Sequence, residues 1–153
     1  MPVPVPRAHD PGCVFCRVVD GVAAAHVVLE DDHALAFLDH RPLFPGHTLV
    51  IPRAHLPTLA DLPADLTLPL FAAVKRLARA VETGLGAEGS FVAVNNRISQ
   101  SVPHLHVHVV PRRAGDGLRG FFWPRGHYRD EAEMTEVRER LRAALAALGP
   151  PPR

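Results

Sequence analysis

Between Gln100 and Pro111 the chain reads Gln-Ser-Val-Pro-His-Leu-His-Val-His-Val-Val-Pro, with histidine at 104, 106 and 108 and apolar residues at 105, 107 and 109. Alternate residues of a strand share a face. This spacing therefore sets three imidazoles on one side and Leu105, Val107 and Val109 on the other. A chain carrying it is constrained to a sheet with a packed face and a histidine-lined face. The simplest explanation is a solvent-facing histidine row beside a Leu/Val core. The alternatives are metal binding, proton transfer and nucleophilic attack. Neighbouring residues favour chemistry: Gln100 and Ser101 offer an amide and a hydroxyl, and Asn95 and Asn96 end the preceding predicted strand. Such donors suit phosphate oxygens, and a neutral imidazole can attack phosphorus to give a phospho-imidazole intermediate.

Around this strand the pattern alternates between sheet and helix. Residues 14–19 form a short apolar segment of one or two helical turns. Strands are predicted over 26–30 and 34–38, joined by the polar turn Asp31-Asp32-His33, and over 47–51, stopped by Pro52. Between Asp65 and Leu85 the residues Leu66, Leu70, Ala73, Val74, Leu77, Ala78 and Val81 keep helical spacing, with Gly84 and Gly86 as stops. Strands follow over 91–95 and 104–110, then a Gly- and Arg-rich loop to about Asp130 and an amphipathic helix over 131–148. The order predicts an α+β fold with a mostly antiparallel five-stranded sheet, one long helix and a C-terminal helix. Residues 1–11 and 149–153 read as Pro-rich or loose tails flanking a single domain over 12–148.

With 153 residues, 47% hydrophobic and 22% charged, the chain can bury a real core. A formal charge of +1 argues against a stable nucleic-acid partner. No apolar run has the length of a membrane span, and the prolines at 2, 4 and 6 interrupt what a signal peptide would need, so a cytoplasmic location is expected. The only cysteines, Cys13 and Cys16, are spaced C-x-x-C. In that compartment such a pair is a metal half-site or a redox pair more often than a disulfide, and no thioredoxin-like pattern surrounds it. Tetrahedral zinc needs two further ligands, and His55 follows the strand ending at Pro52.

The run H-φ-H-φ-H-φ-φ, with φ apolar, resembles the signature of the histidine-triad (HIT) superfamily of nucleotide hydrolases and transferases. Cys13-Val14-Phe15-Cys16, Leu35-Ala36-Phe37-Leu38-Asp39, Pro45 to Pro52 and Gln100 to Arg112 resemble family blocks in family order, spanning residues 13–112. The resemblance implies a HIT-like fold and a homodimer with joined sheets. It also implies cleavage at the α-phosphate of purine nucleotide conjugates, either dinucleoside polyphosphates or adenosine phosphoramidates. By the same resemblance His106 is the nucleophile and His108 contacts the phosphate region. Ser101 and Gln100 lie at the phosphate and leaving group, and Asn95 reaches the phosphate from the preceding strand. Asp39 holds the ribose hydroxyls, and Phe15, Val18 and Phe37 wall the base pocket or are ordinary core. Family members with C-x-x-C complete a structural zinc site with the equivalents of His55 and His104, so Cys13, Cys16, His55 and His104 are the implied ligands. A polyphosphate substrate would bring magnesium with it.

Two departures bear on substrate choice. Ser99 stands where many members have glycine, and Val110-Pro111-Arg112-Arg113 replaces a Gly-Gly-Arg ending, which is closer to the polyphosphate hydrolases. A recurring family histidine matches His47. His26, His33 and His40 read as exposed polar residues, His40 standing next to Asp39. Arg112, Arg113, Arg119 and Arg125 are either solvated charges or holders of distal phosphates. The segment 117–124 maps to no family block. A nucleotidyl transferase or phosphorylase, a nucleotide-binding regulatory protein, and a catalytic metal held by the three triad histidines are the competing readings.

Overall fold

A computed structural model describes residues 8–119 and 125–150. The expectations for residues 1–7, for the aromatic run Phe121 to Trp123 and for the last three residues lie outside the described residues. The chain divides into two compact units, one ending at Asp116 and the other beginning at Gly117. The first contains α1 (Val14–Val19), β1 (Val27–Glu30), β2 (Ala34–Leu38), β3 (Thr48–Pro52), α2 (Ala64–Leu85), β4 (Gly89–Ala93) and β5 (Val107–Arg112). The second contains α3 (Glu131–Leu148), whose N-terminus is capped by the Asp130 carboxylate accepting from the Glu133 N–H at 2.8 Å.

Five strands form one antiparallel sheet in the order β1-β2-β3-β5-β4, so the α+β expectation holds. One face carries Ala34, Ala36, Val50, Leu105, Val107 and Val109, packed on Leu70, Ala73, Val74, Leu77 and Val81 of α2. Those helix positions recur every three or four residues, which gives α2 its single buried stripe. The other face carries Leu35, Phe37, Leu49 and Ile51, covered by Cys13, Phe15 and Cys16 around α1. β2 and β3 are buried on both faces and therefore read as continuous apolar runs.

The end of α2 is fixed by Gly86 at φ +65°, a left-handed position that suits glycine. There the Gly86 N–H reaches the Glu82 carbonyl and the Ala87 N–H the Val81 carbonyl. The Arg113 guanidinium donates to the carbonyls of Leu85 and Gly86, which assigns it to capping this helix.

The histidine strand is shorter than expected. It starts at Val107 rather than at residue 104 and runs on to Arg112. The register pairs Val50 with Val107 and Leu49 with His108, so continuing it would set Leu105 opposite Pro52. Proline has no N–H for the ladder. Instead the Leu105 N–H turns to the Leu56 carbonyl at 2.6 Å and the His104 N–H to the Val102 carbonyl at 2.8 Å. Alternation survives this break: Leu105, Val107 and Val109 are all fully buried in the α2-side core. Two residues separate expectation and outcome at β4, which spans 89–93 rather than 91–95. A 3-10 turn at Leu59–Asp61 was not anticipated, although Thr58-x-x-Asp61 has capping-box spacing. The Thr58 N–H and hydroxyl both donate to Asp61 Oδ2.

Candidate active site and metal centre

The C-x-x-C pair opens α1, with Cys13 as its N-cap and Cys16 one turn on, so both thiols lie on the same side of the helix start. Residue 104 comes to meet them from the segment entering β5. His104 Nε2–H donates to the Pro52 carbonyl at 2.9 Å, which leaves the Nδ1 lone pair facing Cys13 Sγ at 3.6 Å and Cys16 Sγ at 3.7 Å. His55 Nδ1 is 3.4 Å from Cys16 Sγ. The four donor atoms all lie within 4.8 Å of one another. Zinc bonds of about 2.3 Å to sulfur and 2.0–2.1 Å to nitrogen give tetrahedral S···N edges of about 3.5 Å, which these separations match. Cys16 and His104 are fully buried and burial pushes the Cys16 thiol pKa up, so a thiolate here needs a cation beside it. The Asp10 N–H directed at Cys16 Sγ and the Pro52 carbonyl on His104 form the outer shell that metal ligands use. Cys13, Cys16, His55 and His104 are thus positioned for a metal site. With four protein ligands it has no open position, the arrangement of a structural centre.

The neighbouring histidines serve a different space, a cavity of about 800 Å³ lined by Phe15, Phe37, Asp39, Ser101, His106 and His108 among others. His106 Nδ1 lies 2.7 Å from the His104 carbonyl, which can only accept. The proton is therefore on Nδ1, and Nε2 carries the lone pair. Phe15 packs edge-on against His106 with centroids 5.2 Å apart and against Phe37 at 5.3 Å.

His108 is set by a second residue, His47. Backbone sterics put His47 in place: Gly46 before it has φ +99°, and a Cβ there would collide with the Leu85 side chain. The Leu43 N–H donates to His47 Nδ1 at 3.1 Å, so the His47 proton is on Nε2, which lies 2.9 Å from His108 Nδ1. That bond leaves the His108 proton on Nε2. Among the described residues, His108 Nε2 is the one buried side-chain nitrogen or oxygen with no hydrogen-bond partner. An orphaned buried donor beside a cavity is costly unless a ligand completes it. Burial depresses the His47 pKa, against the pull of the Asp39 carboxylate 3.8 Å away. Burial, then the fields of His106 and His47, push the His108 pKa down to about 4. Both shifts favour the neutral rings that this hydrogen-bond relay from Leu43 through His47 to His108 requires.

Of the residues singled out in the sequence, Asp39, Phe15, Val18, Phe37, Ser101, His106 and His108 meet at the cavity, and the four cysteine and histidine ligands meet at the metal centre. Gln100 points elsewhere: its Oε1 accepts from the Arg97 N–H at 2.8 Å and its Nε2 donates to the Pro57 carbonyl at 2.6 Å. Asn95, beyond the end of β4, does not line the cavity. Arg112 pairs with Asp116. His26 and His40 are exposed, as expected, but both line the cavity. The relay role of His47 was the main omission. Its sequence signals are the Pro-Gly-His turn into a strand and the recurring family histidine it matches, and neither gives the role.

A family model described as HIT domain matches residues 20–115. The chain is 29% identical over 145 residues to the Candida albicans protein named adenosine 5'-monophosphoramidase, covering 91% of this chain and 95% of that one. It is 34% identical over 108 residues to an Arabidopsis thaliana protein named adenylylsulfatase, covering 69% of this chain and 55% of that one. Among solved structures, a Streptococcus mutans protein superposes with a TM-score of 0.82 at 33% identity, covering 90% of this chain and 88% of that one. A zinc-bound histidine triad family protein from Mycobacterium smegmatis gives a TM-score of 0.67 at 43% identity, covering 90% and 95%. With its triad divided between a metal centre and a cavity, on the sheet shared with these neighbours, the chain belongs to the HIT family.

Proposed function

We propose that this protein is a nucleotidyl hydrolase acting at the α-phosphate of adenosine or other purine nucleotide conjugates through a nucleotidyl-histidine intermediate. His106 Nε2 attacks phosphorus, and the bond from phosphorus to the leaving group breaks with its electron pair on the leaving group. A water then attacks phosphorus, returns the pair to Nε2 and frees the nucleoside monophosphate. Asp39 holds the ribose diol, and Phe15, Val18 and Phe37 cover the base. Ser101 serves the phosphate and leaving group from the cavity wall; Asn95 and Gln100 stand outside it in this structure and would have to turn inward to serve the same groups, Gln100 releasing the Arg97 N–H and the Pro57 carbonyl. The observation that carries the reading is the pairing of a bare His106 Nε2 with the buried, unpartnered Nε2–H of half-buried His108, a nucleophile beside a donor for the oxygen that gains charge.

Both named relatives are called after adenylyl compounds, which supports an adenosine conjugate. Zinc is the metal we assign to Cys13, Cys16, His55 and His104, supported by the S₂N₂ donor set and the zinc-bound relative. Its chemistry there is structural: it holds thiolates and fastens α1. A polyphosphate substrate would carry magnesium in with it. We also propose one working domain over residues 12–148, a cytoplasmic location and a homodimer. No described helix is long and apolar enough to cross a membrane. β4 is an edge strand with Val92 exposed, which supports continuation of the sheet by a second copy, to be checked by light scattering.

The deciding experiment is turnover of adenosine phosphoramidate, adenylyl sulfate and diadenosine polyphosphates by the wild type and by His106→Ala. The wild type should release AMP and His106→Ala should lose at least about a thousandfold in kcat. Retained hydrolysis in the variant would remove the covalent mechanism.

A further inference from the structure

The apolar walls of the cavity can hold a base by its faces but cannot tell one base from another, because every base offers a flat aromatic face. Distinguishing bases requires donors and acceptors at the ring edge. Six polar side chains line the cavity: His26, Asp39, His40, Ser101, His106 and His108. The nucleotide reading given above, on which this inference rests, places four of them at ribose and phosphate. His26 and His40 are left. Both are exposed, and neither side chain makes a hydrogen bond or ion pair with another described residue. They stand at the same end of the β1–β2 pair, since the Leu38 N–H donates to the His26 carbonyl at 3.0 Å and His40 follows two residues later. His40 is also the immediate neighbour of Asp39 and lines the same cavity, so a base on a ribose held by that carboxylate shares this space with His40.

We propose that His26 and His40 are specificity-determining residues that hydrogen-bond the 6-substituent edge of a purine base. A neutral imidazole carries one donor and one acceptor and can exchange them by changing tautomer. The pair therefore takes a 6-amino or a 6-oxo group equally well, and what it selects is the presence of a polar 6-substituent. Each such bond, made at an exposed site, changes affinity by about threefold to tenfold.

The test compares three monophosphates of equal ring area, those of adenosine, inosine and unsubstituted purine riboside, by equilibrium binding to the full chain. Wild type should bind the first two within about threefold of each other and the third about threefold to tenfold more weakly. In His26→Leu/His40→Leu, with both single variants alongside, the three should converge, an interaction read as a double-mutant cycle between protein and ligand edge. Equal binding of all three by the wild type, or an unchanged ratio in the double variant, would overturn the assignment. Should either result accompany His106-dependent AMP release, only the role of the two histidines fails. If no monophosphate binds at all, the nucleotide reading fails with it.

Discussion

A neutral imidazole is chemically ambiguous until something fixes which nitrogen carries its proton. Each triad ring here has a fixed answer. The Pro52 carbonyl takes the His104 Nε2 proton, the His104 carbonyl takes the His106 Nδ1 proton, and His47 supplies one to His108 Nδ1. Removing His47 frees His108 to carry its proton on either nitrogen, so His47 is a positioning residue. His47→Ala should lower kcat for adenosine phosphoramidate about 10- to 100-fold while KM moves less. Steady-state kinetics on a variant shown to melt cooperatively would detect this, and an unchanged kcat would mean the relay is idle. The same burial makes stability depend on pH. His108 titrates at about 4 when folded against an ordinary 6.5, so between those values the unfolded chain binds the proton and the folded one does not. Stability therefore rises as pH climbs from about 4 to 6.5 and levels off above, a contribution on the order of a few kcal/mol at most. Thermal melts between pH 5 and 7.5 should show that slope, and His108→Asn should make it shallower, the remainder coming from His104, which burial also holds at about 4, and from His47, which burial lowers.

At the scale of elements, a register explains both what the sequence made plain and what it hid. Leu105, Val107 and Val109 declared their buried face by alternation alone, and α2 declared its stripe by 3.6-residue spacing. The start of β5 was hidden because it depends on Pro52, a residue of another strand that cannot donate to the ladder. The loop between β4 and β5 was hidden for a similar reason. Arg97 and Ser99 adopt φ +69° and +58°, left-handed conformations that non-glycine residues avoid; the glycine many family members have at 99 hinted at one, and nothing local announces the other. They persist because the loop is tied from outside: Asn96 Oδ1 accepts from the Leu59 N–H and Gln100 reaches Pro57. Ser99→Gly should relieve the strain, offset in part by the greater freedom glycine has when unfolded, for a net gain of up to about 1 kcal/mol. Calorimetry should find Tm raised by about 1–3 °C. A lowered Tm would show that the loop does not hold residue 99 in the left-handed region.

Within the first unit, the candidate metal centre lies where three segments distant in sequence meet. Its ligands were legible in the sequence through a family resemblance, but their consequence was not, because it depends on hydrogen bonds between distant loops. α1 has six residues and no side-chain cap, too short to persist by itself, yet it supplies Phe15 and Val18 to the cavity wall. Cys13 and Cys16 anchor it. His55 anchors the segment whose Leu56 and Pro57 carbonyls receive the Leu105 N–H and the Gln100 amide. His104 holds His106, the proposed nucleophile, through its own carbonyl. α2 and the sheet face beneath it, by contrast, are joined by a core that includes none of the four ligands. Stripping the zinc proposed for this site with a chelator, or substituting Cys16→Ser, should therefore loosen the molecule unevenly. Amide hydrogen exchange should accelerate over residues 13–20, 55–61 and 96–105, while α2 and β2 keep their protection. Affinity for AMP should fall about tenfold or more as the Phe15 wall is released. Exchange rising equally everywhere would mean the metal supports the whole fold, and exchange unchanged in those three segments would mean that they stand without it.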